Sequence, residues 1–403
     1  MTGELRHSLS CLIEGAFSAG GLLMATTTNR LSSRLRSWLR LSPWLGAFLL
    51  ILSGCQEPQP LKVGYVGGLT GRVAGLGVAG RDGVQLALEE INRQGGISGR
   101  KLELLSRDDQ QQAETAKAVT KELIDSGVVA LIGPMTSAMA MAMQPLANQH
   151  EVVLISPTVT TNRLNDLDDH FFRLTSPLKI NAEKTAQYAL SHGLKTFAVT
   201  IETGNVTFTE DWFESFRKPF EAGGGRIVCV ERFKSGAEGG FLEMAKRLLK
   251  ERPDGVLLLS GAMDAALTAQ QIRKLGSQTT LFSSEWAFTS DIINFGGSSV
   301  EEMLSFVTYD PSSKAPQHET FLVSFEKRFG YKPSFAAVLA YESMNFLASG
   351  LRRNPQRLGL KKVLLETGPF DGLQGPIRMG RFGEAERQTY LGAVRNGQFI
   401  TLQ

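Results

Sequence analysis

From Leu61 onward the sequence alternates between two kinds of segment. One is a short run with no polar residue, such as Val128–Ile132 (VVALI) or Val152–Ile155. The other is a longer amphipathic stretch, such as Asp82–Arg93 (DGVQLALEEINR), apolar at Val84, Leu86, Ala87, Leu88 and Ile91 and stopped by Gly95-Gly96. A strand that is apolar on both faces must be covered on both faces, and amphipathic helices of this kind are what cover it. The alternation therefore predicts an α/β chain with parallel, doubly wound sheets. It runs twice. The first series has strands at Leu61–Val66, Lys101–Leu105, Val128–Ile132 and Val152–Ile155, with helices at Asp82–Arg93, Ala113–Asp125 and Ser137–Gln149. After an extended Phe171–Leu174, the second series sets strands Thr196–Ile201, Arg226–Glu231, Gly255–Leu259 and Thr280–Phe282 among helices Asn181–Ser191, Glu210–Ala222, Phe241–Lys250 and Ala265–Leu275. Past Tyr309 the pattern is helical, at Glu319–Phe329, Phe335–Gly350 and Leu358–Glu366, and short strands at Tyr390–Arg395 and Phe399–Leu402 close the chain. Two series of similar length imply two similar Rossmann-like lobes.

The 403 residues leave room for such lobes, and 42% hydrophobic with 21% charged residues is ordinary for a globular protein, which excludes disorder and a polytopic membrane protein. The net charge of +3 belongs entirely to residues 1–54, which hold five arginines, two glutamates and no lysine. The remainder is balanced, so the footprint of a nucleic-acid binder is missing.

That basic segment reads as an export leader. Arginines from Arg30 to Arg40 precede the apolar run Leu41–Leu52, which is shorter than the roughly 20 residues of a membrane span. Leu52-Ser53-Gly54-Cys55 then resembles a bacterial lipoprotein signal, with Cys55 as the lipidated residue and 55–60 as a polar linker. Residues 1–23 fit no part of such a leader, and Met24 is the expected start. Cys11 then disappears with the leader, and Cys229 remains as a lone thiol packed in a strand.

Several motifs in order carry a further resemblance. Val63–Gly77 (VGYVGGLTGRVAGLG), Glu89–Arg100 (EEINRQGGISGR), Asp108-Asp109, Val129–Pro134 (VALIGP), Ile155-Ser156-Pro157 with Thr158–Asn162, and Phe172-Arg173 resemble type I periplasmic solute-binding proteins, in the leucine/isoleucine/valine-binding branch of ABC importers. The resemblance spans about 61–395. It implies two α/β lobes joined by a three-strand hinge, with lobe one at 61–175 plus 311–371 and lobe two at 176–310 plus 372–403. Ligand would lie in the cleft between them, at the carboxyl ends of the strands, and be trapped by hinge closure.

Carried over by position, the resemblance gives Ser137 the ligand α-carboxylate, at a helix N-terminus suited to an anion. It gives the Thr158 carbonyl to the ligand ammonium, Thr160 to both charged ends, and Glu285 to the ammonium. Trp286, Phe208 and Leu76 would wall the side-chain pocket. Each also has an ordinary reading: Ser137 as an N-cap, Thr158 and Thr160 as a polar turn, Glu285 as a solvated loop carboxylate, and Trp286 as simple packing. The chain departs from the family pattern where an aromatic is expected near Leu76, where Ser260–Met263 lacks a tyrosine, where Phe208 replaces one, and where Gln111 and Thr136 stand near the places of a lobe-one disulfide. Arg72 either meets an acidic ligand or is solvated.

Enzyme readings fail at the motif level: Gly64-Tyr65-Val66-Gly67-Gly68 lacks dinucleotide-loop spacing, and no P-loop, nucleophile elbow or HExxH occurs. The four histidines past the leader, His150, His170, His192 and His318, are too scattered to suggest a metal cluster, and Asp168-Asp169-His170 reads as an acidic surface turn. The expectation is a lipid-anchored, extracytoplasmic binding protein without catalytic residue, cofactor or metal, taking an apolar or neutral amino acid and serving an ABC permease and ATPase. The other reading is a sensor subunit of the same fold for an amide or another small polar solute.

Overall fold

The computed structural model describes residues 58–236 and 240–402. The leader, Cys55 and the Met24 start lie outside the described residues. The first series builds one sheet from β1 (Leu61–Gly67), β2 (Leu102–Asp108), β3 (Ala130–Ile132), β4 (Val153–Ser156) and β5 (Phe171–Arg173). Its order is β2-β1-β3-β4-β5 and every pairing is parallel. The second sheet takes β6 (Thr196–Glu202), β7 (Arg226–Phe233), β8 (Gly255–Leu259), β9 (Thr280–Ser283) and β10 (Leu304–Val307). A small antiparallel meander of β11 (Phe370–Gly372), β12 (Gly375–Met379) and β13 (Ala385–Glu386) follows. Then β14 (Tyr390–Arg395) and β15 (Gln398–Thr401) add to the second sheet antiparallel, giving β15-β14-β10-β9-β8-β6-β7. The expected two-lobed α/β architecture is thus observed, each lobe built on its own sheet.

The central strands are buried along their length, which is why they carry no polar alternation: Gly255–Leu259 and Ala130–Ile132 are buried at every residue. In the first lobe they are flanked by α1 (Ala74–Arg93), α2 (Ala113–Asp125) and α3 (Ser137–Gln149). The second lobe has α4 (Leu178–Ser191), α5 (Val206–Ala222), α6 (Phe241–Leu249), α7 (Ala262–Lys274) and α8 (Ser290–Gly296). Then come α9 (Pro316–Phe329), α10 (Phe335–Arg353) and α11 (Leu360–Leu365), with α10 lying along α1. Cys229 does lie in a strand, β7, though half-buried rather than fully packed.

Several helices begin a turn earlier than their amphipathic stretch. The largest difference is α1, which starts at Ala74 rather than Asp82. Gly75, Gly77, Gly80 and Gly83 make this stretch look like a loop, yet here glycine serves close approach. A Cβ on Gly77 would sit 2.0 Å from the Gly68 carbonyl oxygen, and one on Gly83 would sit 2.2 Å from the Ala337 carbonyl oxygen of α10. The strand β10 and the meander carry no distinctive apolar run and were not legible as strands.

Asp168 is exposed as expected and pairs with Lys361 at 2.6 Å. Asp169 is not a surface residue: it is buried and accepts from the Phe171 N–H at 2.8 Å and the Gln144 side chain at 2.5 Å, closing the turn into β5.

Among the described residues three chain segments cross between the lobes, at 174–177, 308–315 and 387–389, and polar contacts tie them together. The Thr175 and Thr308 hydroxyls meet at 3.3 Å, joining the first crossing to the second. The Arg387 N–H donates to Ser176 Oγ at 3.0 Å, joining the third to the first. The Asp310 N–H donates to the Gln374 side chain at 3.1 Å, joining the second crossing to the β11–β12 turn. Beneath them Arg387 reaches Glu342 at 2.7 Å, and both side chains are almost fully buried.

Candidate functional site

The carboxyl ends of both sheets face one another, so the residues singled out in the sequence converge from separate loops. The β3–α3 connection delivers Ser137 and the β4 exit delivers Thr158 and Thr160. From the other lobe α5 contributes Phe208, and the β9 exit contributes Glu285 and Trp286. Ser137, Thr160, Phe208, Glu285, Trp286 and Leu76 are all buried, and Thr158 is half-buried. Thr160 Oγ1 lies 3.5 Å from Glu285 Oε1, across the seam between lobes.

Glu285 is therefore not a solvated loop carboxylate. It is 8% exposed, and burial pushes its carboxyl up to about 7, against the opposing pull of its own backbone, Trp212, Asn181 and Thr160. Among the described residues no basic side chain forms an ion pair with it; its side-chain hydrogen-bond partners are Thr160 and Trp212. Trp212 Nε1 donates to Glu285 Oε2 at 3.4 Å.

Ser137 is the first residue of α3, and the N-cap position belongs to Thr136, so the reading of Ser137 as a plain N-cap does not hold. The N–H groups of Ser137 and Thr160 make no protein hydrogen bond among the described residues. The next amide, Ala138 N–H, donates to Asn205 Oδ1 of the other lobe at 3.0 Å. The Thr158 hydroxyl donates to the Met135 carbonyl at 2.7 Å, which leaves its backbone carbonyl as the group it can offer. Phe208 meets Trp286 edge-on with centroids 5.8 Å apart, a packed apolar corner. Leu76 belongs to α1 rather than to a loop, and lines a narrow seam with Val73, Gly261 and Trp286.

Arg72 is neither free for an acidic ligand nor merely solvated. Its guanidinium pairs with buried Asp264 of α7 at 2.5 Å and donates to Ser235 Oγ at 3.2 Å, both in the second lobe. A further interlobe link runs from the Thr161 hydroxyl to Asp211 at 2.5 Å. At the place of the family disulfide, Thr136 Oγ1 donates to Gln111 Oε1 at 2.9 Å, and the Gln111 amide in turn donates to Asp109 at 2.9 Å. Asp108 holds the first loop by accepting from the Leu69 N–H at 2.8 Å and the Thr70 hydroxyl at 2.6 Å.

Trp212, Asn181, Asn205 and Asp264 were not found by sequence reasoning. Asn205 follows β6 and Asp264 follows β8, so their places after apolar strands were the available signal. Trp212 and Asn181 sit inside helices and gave none.

The chain is 24% identical over 340 residues to a Leu/Ile/Val-binding protein of Escherichia coli (strain K12), covering 84% of this chain and 92% of that one. It is 26% identical over 340 residues to the Leu/Ile/Val-binding protein BraC3 of Rhizobium johnstonii, covering 80% and 88%. Among solved structures, a leucine binding protein of Thermotoga maritima superposes with a TM-score of 0.79 at 23% identity, covering 85% of this chain and 98% of that one. A solute binding protein from R. palustris in complex with benzoate superposes at 0.78 with 20% identity, covering 85% and 95%. The family model described as periplasmic binding protein matches residues 60–398, and the chain belongs to that family.

Proposed function

We propose that this protein binds a free α-amino acid with an apolar or neutral side chain between its lobes and presents it to the permease of an ABC importer. The observation that carries the reading is Glu285: a buried carboxylate at the interlobe seam, with no basic partner among the described residues, facing Thr160 of the opposite lobe. A buried carboxylate without a cation is costly, and an ammonium-bearing ligand supplies that cation. An aromatic acid such as benzoate brings a second negative charge, and a neutral amide brings no positive one, so Glu285 disfavours both. Arg72, the nearby candidate to neutralise an acidic ligand, is occupied by Asp264.

In this reading the free N–H groups of Ser137 and Thr160 and their hydroxyls hold the α-carboxylate. The Thr158 carbonyl, Thr160 and Glu285 hold the ammonium. Leu76, Phe208 and Trp286 surround the side chain. The lobes close about the crossings. Cys55 carries the lipid that keeps the protein at a bacterial membrane, and no step requires catalysis or a cofactor.

A thermal-shift panel tests the reading. Ligand at 100-fold over Kd stabilises by about 2.7 kcal/mol, enough for a clear rise in Tm. Leucine, isoleucine, valine and other neutral amino acids are expected to include at least one that raises Tm, while benzoate, urea and short amides do not. A rise with an amide or aromatic acid and with no amino acid refutes it.

The Arg72–Asp264 pair exists only when the lobes meet. Arg72→Ala is expected to weaken ligand affinity about fivefold, since a partly exposed pair contributes up to about 1 kcal/mol. Calorimetry on the two proteins decides this, and equal Kd values would make the pair incidental to closure.

A further inference from the structure

We infer that Trp212 and Asn181 are positioning residues that orient the Glu285 carboxylate toward the cleft. The inference deepens the amino-acid reading above and rests on it for the role of Glu285. Neither residue comes from a strand-end loop. Trp212 lies in the middle of α5, fully buried, with its indole stacked on Phe216 at a centroid distance of 6.1 Å. Asn181 lies in the first turn of α4 and is 2% exposed.

The geometry divides the carboxylate between two sides. Trp212 Nε1 lies 3.4 Å from Oε2, and Thr160 Oγ1 of the opposite lobe lies 3.5 Å from Oε1. The indole therefore holds one oxygen from within the second lobe and leaves the other facing the first. Asn181, on the same side of the carboxylate as Trp212, favours its ionised form as a second neutral group. Its own Oδ1 is buried with no hydrogen-bond partner. A buried amide with an unpaired acceptor is a poor choice for stability alone, and a sensible one if the neighbouring carboxylate is what it serves. Helix α4 is fixed against the same site, because the Leu178 N–H donates to the Thr160 carbonyl at 2.9 Å. Indole and amide are neutral: they favour the ionised carboxylate and fix its direction without neutralising it, so its charge remains for a ligand cation.

The test uses Trp212→Phe, which keeps the ring and removes the N–H, and Asn181→Leu, which keeps the volume and removes the amide. Two readouts are taken on each: leucine affinity by calorimetry across pH, and the titration of the Glu285 carboxyl by carbon NMR in the ligand-free protein. Each variant is expected to lose about tenfold in leucine affinity at pH 8, and the Glu285 titration midpoint moves upward in both. Variants that leave the midpoint in place overturn the inference, whether or not affinity falls, because lost packing alone would not select the carboxylate. If the unaltered protein binds no amino acid yet both variants raise the midpoint, the positioning role stands and the amino-acid reading is what fails.

Discussion

Glu285→Gln is expected to weaken leucine binding by about 100-fold at pH 8, or ~2.7 kcal/mol, the loss expected when a charge-assisted hydrogen bond becomes a neutral one. The substitution keeps size and shape, so Phe208, Trp286 and Trp212 retain their packing, and the change isolates the charge. A second consequence follows from burial. The Glu285 carboxyl is pushed up to about 7 because desolvation opposes its ionised form. The ligand ammonium requires that ionised form. Affinity is therefore expected to fall as pH drops through about 7, by up to tenfold per unit, and to level off above it. The glutamine variant does not ionise, so its affinity stays flat over the same range. Calorimetric titrations of both proteins between pH 5.5 and about 8.5 check the pair of statements. Equal affinities at pH 8 would remove the ammonium assignment from Glu285.

Arg387→Met is expected to destabilise the protein by about 3–5 kcal/mol, because it strands a buried carboxylate. Glu342 on α10 is 1% exposed, and Arg387 provides both of its terminal nitrogens to Glu342 Oε2 at 2.7 Å. The remaining oxygen accepts the Leu373 N–H at 2.7 Å. Arg387 also donates to the Leu174 carbonyl at 2.9 Å, so a single guanidinium binds α10, the first crossing and the third. The effect should concentrate on the crossings. The double variant Glu342→Met with Arg387→Met should recover a large part of the loss, since it removes the stranded charge along with its partner. Urea unfolding midpoints of the single and double variants provide the measurement. A double variant no more stable than the single would mean that the backbone contacts of Arg387, rather than the ion pair, dominate.

What was readable in the sequence follows from burial. VVALI, VVLI and GVLLL sit in strands covered on both faces, so their chemistry is uniform and visible without a partner. The strand β10 and the 370–386 meander were missed because antiparallel or edge pairing needs no such run. Helix starts were missed for a reason tied to function. The first turns of α1, α5 and α7 face the cleft, and there amphipathic residues give way to glycines for close approach and to Leu76, Phe208 and Asp264. In α1 and α7 the turns least like a helix in sequence hold residues that meet the opposite lobe, Leu76 and Asp264.

The sequence by itself determined the two α/β series, the positions of the strand-end loops, and the resemblance that pointed to Ser137, Thr158, Thr160 and Glu285. These are properties of local pattern, because apolar periodicity reports burial and a loop after a buried strand opens at the sheet's carboxyl edge. Only the tertiary structure decided that Glu285 is buried without a basic partner among the described residues, that Trp212 and Asn181 stand behind it, and that Arg72 is occupied by Asp264. Those pairings join residues 73 to 192 positions apart, and the electrostatic state of a carboxylate depends on what surrounds it in space rather than on its neighbours in the chain.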